Sequence, residues 1–278
     1  MGKKANWELF EIDSCNYLNE LFEGSPITFQ GEGGKNSSSS DIKVFDRGKY
    51  IFSIEAKYSP SQSGQFVLIE GNDLYSLSPV SKFENNEYTQ AIIDHLNENK
   101  EQYTPEGQEA IEINIDKKIL AKWITDHYKR KDSYFVITSN KLSDYKVILP
   151  IDDIKDFFDV SAVVRRKKSG STDVAQYKIE SCINELREYI KQYGLAVTDV
   201  IPQNKKTLIK LNKGVDLKKP DRYFGDGYYL SPNSNGEGYY IKQLSKTNNL
   251  NVIFSLVYTG PEKNIGIDLL KKFTNNLH

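Results

Sequence analysis

Residues 37–68 read SSSSDIKVFDRGKYIFSIEAKYSPSQSGQFVL, and this stretch decides the architecture. Residues 41–46 and 50–58 alternate β-branched or aromatic side chains with polar ones, the period of a strand. Between them Asp46-Arg47-Gly48-Lys49 forms a tight turn, with glycine at the position whose dihedral other residues avoid. Ile51 to Ile54 is apolar on both faces apart from Ser53, as in a central strand covered on two sides. If Asp46 and Lys49 flank the turn, counting back along the ladder puts Asp41 opposite Ile54, beside Glu55, and a bulge would shift this register by one. Glu55 and Lys57 are two residues apart and share a sheet face.

Charges at the end of a buried strand need a reason. Two carboxylates brought together repel and call for a cation. Asp41 and Glu55 offer hard oxygen ligands, which suit Mg²⁺, an ion that takes one or two carboxylates and fills its other positions with water and phosphate. Lys57 beside them can position or deprotonate a water, or neutralise developing charge. The Ser- and Gly-rich approach, GEGGKNSSSS at 31–40, lets a substrate come close. It lacks the GxxxxGK[ST] spacing of a phosphate loop, so no nucleotide cofactor is expected.

Working outward, residues 6–23 are an amphipathic helix stopped by Gly24 and Pro26, and residues 27–30 are a short strand or loop. Helices are expected over 86–102, 116–129, 151–158, 176–193 and 265–276, with strands over 133–139, 145–150 and 161–171. Residues 195–259 are β-rich, with turns at Pro/Asn/Gly clusters. The fold class is therefore α/β or α+β, a mixed central sheet flanked by helices.

Composition excludes several classes. The chain has 278 residues, 38% hydrophobic and 27% charged, with no apolar run long enough to cross a membrane and no signal-peptide core, so a cytoplasmic protein is expected. Cys15 and Cys182 fit no metal or disulfide spacing, and three histidines argue against zinc. His95 reads as a packing residue. Residues 1–160 carry 18 Lys and Arg against 27 Asp and Glu, net −9, whereas residues 161–278 carry 19 against 11, net +8. This asymmetry predicts two parts: a core over 1–160 with the cation site, and a basic, β-rich part over 161–278 that grips an anionic polymer. The strongest basic run is Arg165-Arg166-Lys167-Lys168-Ser169, suited to clamping phosphates, with Lys205, Lys206, Lys210, Lys213, Lys218 and Lys219 as further contacts. Tyr223, Tyr228, Tyr229, Tyr239 and Tyr240 read as sheet packing in preference to base stacking.

SSDIKV followed by FSIEAKY resembles the PD-(D/E)xK nuclease superfamily, with Asp41 as the motif aspartate and Glu55-Ala56-Lys57 as the tripeptide; Ser40 stands where the motif has proline. The resemblance covers roughly residues 5 to 140 and implies an αβββαβ core. It also implies a glutamate from the first helix at the metal site, best matched by Glu11 and next by Glu20, and a glutamine after the lysine strand, matched by Gln65. A chain of this size with a basic β-rich part is most similar to a type II restriction endonuclease, a Mg²⁺-dependent enzyme that acts as a homodimer on specific double-stranded DNA. The alternatives are another nuclease on the same core (repair nickase, junction resolvase or mobile-element nuclease) and a catalytically idle DNA-binding protein.

Overall fold

The computed structural model describes residues 6–32, 40–140, 143–168, 170–204, 206–212, 217–233, 235–245 and 248–277. The chain begins with α1 (Asn6–Leu21), β1 (Ile27–Gly31), β2 (Ile42–Asp46), β3 (Lys49–Ser59), β4 (Ser61–Gly71) and β5 (Leu74–Leu77). It continues through α2 (Glu87–Glu98), β6 (Ala110–Glu112), α3 (Lys117–Lys129), β7 (Ser133–Asn140), β8 (Val147–Pro150), α4 (Ile154–Phe157) and β9 (Phe158–Lys168). Then follow β10 (Ser171–Asp173), α5 (Ile179–Ile190), β11 (Val197–Gln203), β12 (Lys206–Leu211), β13 (Tyr223–Phe224), β14 (Tyr228–Pro232), β15 (Tyr239–Leu244), β16 (Asn248–Tyr258) and α6 (Ile267–Asn275).

Two compact units result: residues 1–166 with 250–278, and residues 167–249. The boundary expected after residue 160 falls inside β9. The expected second part, 161–278, is itself divided, because β16 returns to the first unit and lies between β4 and β9 in a sheet of order β5-β4-β16-β9-β6. A strand buried at both edges needs partners on both sides, and β16 finds them in strands far from it in sequence.

The sheet that carries the opening hairpin has the order β1-β2-β3-β7-β8. β3 is central, antiparallel to β2 and parallel to β7. Phe10 and Leu18 of α1 and Leu270 of α6 pack on Phe52, Ile54 and Ala56 of β3 and on Ile137 of β7. Leu120, Trp123, Ile124 and Tyr128 of α3 join Val136 of β7 in a second core, together with α2, β4, β9 and β16. Trp123 stacks on Phe254 of β16, ring centroids 3.8 Å apart. α2 starts where Asn86 caps it, its side chain accepting from Thr89 N at 2.8 Å, and Asp116 does the same for α3. Gly266 precedes α6 with φ +88°; a Cβ there would lie 1.7 Å from the Ile148 carbonyl oxygen, so only glycine lets Ile265 bridge to β8.

The hairpin carries a correction. Phe45 faces Tyr50 and Asp46 faces Lys49 as counted from the turn, but Val44 faces Phe52, Lys43 faces Ser53 and Ile42 faces Ile54. Ile51 is the extra residue of a bulge, so continuing the register brings Asp41 level with Glu55 itself.

In the second unit, β11-β12-β15-β14-β13 form a sheet with β10 beside β15. Cys182, Ile183, Leu186 and Ile190 of α5 cover Ile209, Leu230 and Ile241. Tyr228 and Tyr239 belong to this core, whereas Tyr223 packs against Tyr229 at 4.8 Å and the Tyr240 hydroxyl donates to Gln203 Oε1 at 3.1 Å. Cys182 is a core residue and Cys15 is half-buried; both are free thiols. His95 is half-buried, 3.2 Å from the Tyr103 hydroxyl. Among the described residues no helix is long and apolar enough to cross a membrane.

Candidate active site

Asp41 enters the site from the residue before β2, Glu55 and Lys57 from the middle of β3. Asp41 Oδ2 accepts from the Ala56 backbone N–H at 2.9 Å and from Lys57 Nζ at 2.6 Å. The same ammonium lies 2.8 Å from Glu55 Oε2. The side chains are 17%, 2% and 13% exposed for Asp41, Glu55 and Lys57, so the two carboxylates share one largely buried cation. A buried charge is tolerated only when paired, and Lys57 is what lets the two acids converge.

The surroundings tighten this cluster. Ser133, at the start of β7, donates to Glu55 Oε1 at 3.3 Å and lies 2.7 Å from Ser40 Oγ. Ser40 also donates to the Lys131 carbonyl at 3.0 Å. Burial alone would raise the Glu55 carboxyl, but the Lys57 and Lys131 ammonium groups hold it below its usual range. At Asp41 burial prevails and the carboxyl is raised. Burial would lower Lys57, yet Asp41 and Glu55 hold its ammonium well above the usual range. Lys57 in this arrangement is a cation and not a base.

Glu11 of α1 lies within electrostatic reach of the cluster. Burial, then the Asp41 charge, raises its carboxyl to about 7, with Glu55 adding to the shift and Lys57 opposing it. Glu20, the second choice for this place, lines a separate cavity of about 700 Å³ with Asp13, Tyr58 and Lys146. Gln65 lies on β4 opposite Ile253 of β16, in the other sheet of the unit, with Gln62 Nε2 3.5 Å from its Oε1.

Sequence reasoning does not find three participants: Ser133, Lys131 and Tyr128. Tyr128 is fully buried on α3, its ring centroid 5.6 Å from Lys57 Nζ. Only the packing of α3 and β7 against β3 brings them to the site, and no local pattern announces it. His127, beside Tyr128, is pushed down to about 3 by burial and by Lys131, so it stays neutral, stacked on Trp123.

Among the described residues no group of three or more His, Cys, Asp or Glu is arranged as a complete metal cage. Two buried carboxylates converging on one cation nonetheless fit an ion that takes few protein ligands and keeps its waters. Asp41 and Glu55 would hold it, with Glu11 close enough to feel their charge.

The basic run is spread over different settings. Arg165 Nε donates to the Gln108 carbonyl at 2.9 Å and Arg166 Nε to the Pro105 carbonyl at 3.2 Å, while Arg166 also reaches Glu70 at 3.5 Å. Lys167 opens the second unit. Lys206 lies over the Tyr240 ring at 5.5 Å. Ser169, Lys205 and Lys213 lie outside the described residues, as do the side chains of Lys168 and Lys219.

The class that this mixed α+β fold resembles is the DNA endonucleases. The chain is similar to HhaI endonuclease, solved in complex with DNA: 28% identity over 98% of this chain and 98% of that one, with a TM-score of 0.73. No protein-family model matches the chain, and no curated protein matches it.

Proposed function

We propose that the chain is a PD-(D/E)xK nuclease, and within that class a Mg²⁺-dependent type II restriction endonuclease that hydrolyses phosphodiester bonds in a specific double-stranded DNA sequence. The observation that carries this reading is the Asp41–Lys57–Glu55 cluster, held at 2.6 and 2.8 Å at the heart of a sheet whose fold is similar to an endonuclease solved with DNA.

Each residue has a role in that chemistry. Asp41 and Glu55 would hold the divalent ion, which supplies an acidified water and positive charge against the pentacovalent phosphorus. Lys57, an ammonium in the metal-free protein, would stabilise the charge that builds on the phosphate oxygens. Glu11, close enough to feel the charge of Asp41 and Glu55, would face the same ion and steady the attacking water. Gln65 is assigned to the same site as a substrate-side contact.

The second unit, with 14 Lys and Arg against 9 Asp and Glu, has the charge to grip DNA. Arg165, Arg166, Lys167, Lys168, Ser169, Lys205 and Lys206 are assigned to phosphates and base edges. A homodimer belongs to this reading, since a two-fold protein matches a palindromic duplex.

Incubating plasmid with the protein and Mg²⁺ is expected to give discrete fragments. A smear or intact plasmid would overturn the sequence-specific reading. Asp41→Ala and Lys57→Ala are expected to abolish cutting while DNA binding in Ca²⁺ persists.

A further inference from the structure

The hydroxyl of Tyr128 is buried and has no hydrogen-bond partner among the described residues. Ser63 comes close enough to influence it but not at hydrogen-bonding geometry, and the Ser63 hydroxyl is turned to Ser61, 3.1 Å from its Oγ and 3.3 Å from its carbonyl. A buried hydroxyl without a partner is a standing cost. Phenylalanine would keep the same ring in that core without the cost. While Lys57 is held by its two acids, the oxygen of Tyr128 has no structural task.

Its neighbour does change state. An ammonium has three donors, and Lys57 commits donors to Asp41 and Glu55 at 2.6 and 2.8 Å. Any divalent cation held by those two carboxylates competes with Lys57 for the same oxygens. The Lys57 side chain is only 13% exposed, so its ammonium cannot simply move into water. The group at hand is Tyr128, with its ring centroid 5.6 Å from Nζ and an oxygen with free lone pairs.

We propose that Tyr128 is the positioning residue of Lys57: its ring backs the ammonium, and its hydroxyl is the acceptor to which the ammonium turns once Asp41 and Glu55 are drawn onto a divalent cation. The assignment rests on the nuclease reading for its consequence in catalysis, and on the 5.6 Å between Lys57 Nζ and the Tyr128 ring centroid for the pairing. Tyr128 touches no substrate in this scheme. It keeps Lys57 directed at the phosphate after its acid partners have been taken away.

Tyr128→Phe separates this role from a packing role. A packing residue with an unsatisfied hydroxyl loses nothing on becoming Phe. The proposal expects a variant at least as stable to urea, with wild-type affinity for DNA in Ca²⁺, that cuts roughly 10- to 100-fold more slowly in a single turnover, the worth of one hydrogen bond to a charged group. A second readout does not depend on cutting. In protein carrying ¹⁵N-lysine, the Lys57 Nζ resonance, assigned by its loss in Lys57→Ala, is expected to shift when Ca²⁺ is added and to stay protected from exchange with water. In Tyr128→Phe the same addition is expected to bleach it. A Phe variant with wild-type rate and a protected Ca²⁺-bound signal overturns the proposal, and so does a wild-type signal that Ca²⁺ leaves unmoved. If the wild type cuts no DNA, the nuclease reading fails, and the Ca²⁺ response of Lys57 still decides the role of Tyr128.

Discussion

Lys57 Nζ stands 2.6 Å from Asp41 Oδ2 while the backbone N–H of Ala56 donates to that same oxygen at 2.9 Å. Asp41 is thus tied to the central strand by both a main-chain and a side-chain donor. The ammonium is shared with Glu55, so one positive charge holds two carboxylates at the place where a divalent ion would do the same.

Removing that ammonium leaves two carboxylates facing each other with little solvent. Lys57→Ala is expected to lower stability by about 3 kcal/mol without metal, the usual cost of breaking a buried pair. Added Ca²⁺ is expected to raise the melting temperature of the variant more than that of the wild type, because the ion replaces the missing charge. Thermal melts with and without Ca²⁺ check this; equal shifts in both proteins would mean that the carboxylates do not bind the ion.

Glu11 predicts a pH dependence with a definite sign. Its carboxyl is raised from 4.5 to about 7, so between those values the folded protein keeps a proton that the unfolded chain has lost. The stabilisation from this group is complete below pH 4.5 and is lost as pH rises through 7. Glu11→Gln, which mimics the protonated form, is expected to match the wild type near pH 4.5 and to melt higher above pH 7, measured in EDTA. Parallel melting curves across that range would remove Glu11 from the cluster.

Gly64 sits in the bulge where β4 shifts register against Phe254 and Ser255 of β16. Its φ is +143°, and a Cβ there would lie 2.8 Å from Trp123 Cζ3. Gly64→Ala is expected to cost about 1–3 kcal/mol through backbone strain and overpacking, read as a lower urea midpoint. A midpoint equal to that of the wild type would show that the Trp123 ring yields.

Arg165 and Arg166 divide their donors between the carbonyls of Gln108 and Pro105, with Glu70 as a further partner of Arg166. Replacing both by Ala is expected to weaken DNA binding and to reduce its salt slope by about 0.9 for each phosphate no longer neutralised. Titration of a DNA duplex at several salt concentrations measures the slope. An unchanged slope assigns both side chains to holding the 105–108 segment alone.

Much of the architecture is legible because it is local. The apolar spacing of residues 6–23 becomes α1 at Asn6–Leu21, and the caps Asn86 and Asp116 start α2 and α3 within a residue or two of expectation. The acid–acid–lysine cluster is legible because charge within a buried strand is anomalous. Counting from the turn leaves Asp41 one residue from its true level, since the bulge at Ile51 has no signature in a run of β-formers. The strands β5 and β6 escape sequence reading for a related reason: residues 74–77 and 110–112 are too short to show a period.

The sequence by itself determined most of the longer helices and strands, that Asp41, Glu55 and Lys57 belong together, and that positive charge gathers late in the chain. Only the tertiary structure decided that β16 leaves that basic part to pair with β4, that one ammonium bridges both acids, and that the Tyr128 hydroxyl lies buried beside it without a partner among the described residues. The physical reason is range. Periodicity and capping are satisfied by residues a few positions apart, whereas the partner of a strand edge or of a buried charge is whichever group long-range packing delivers.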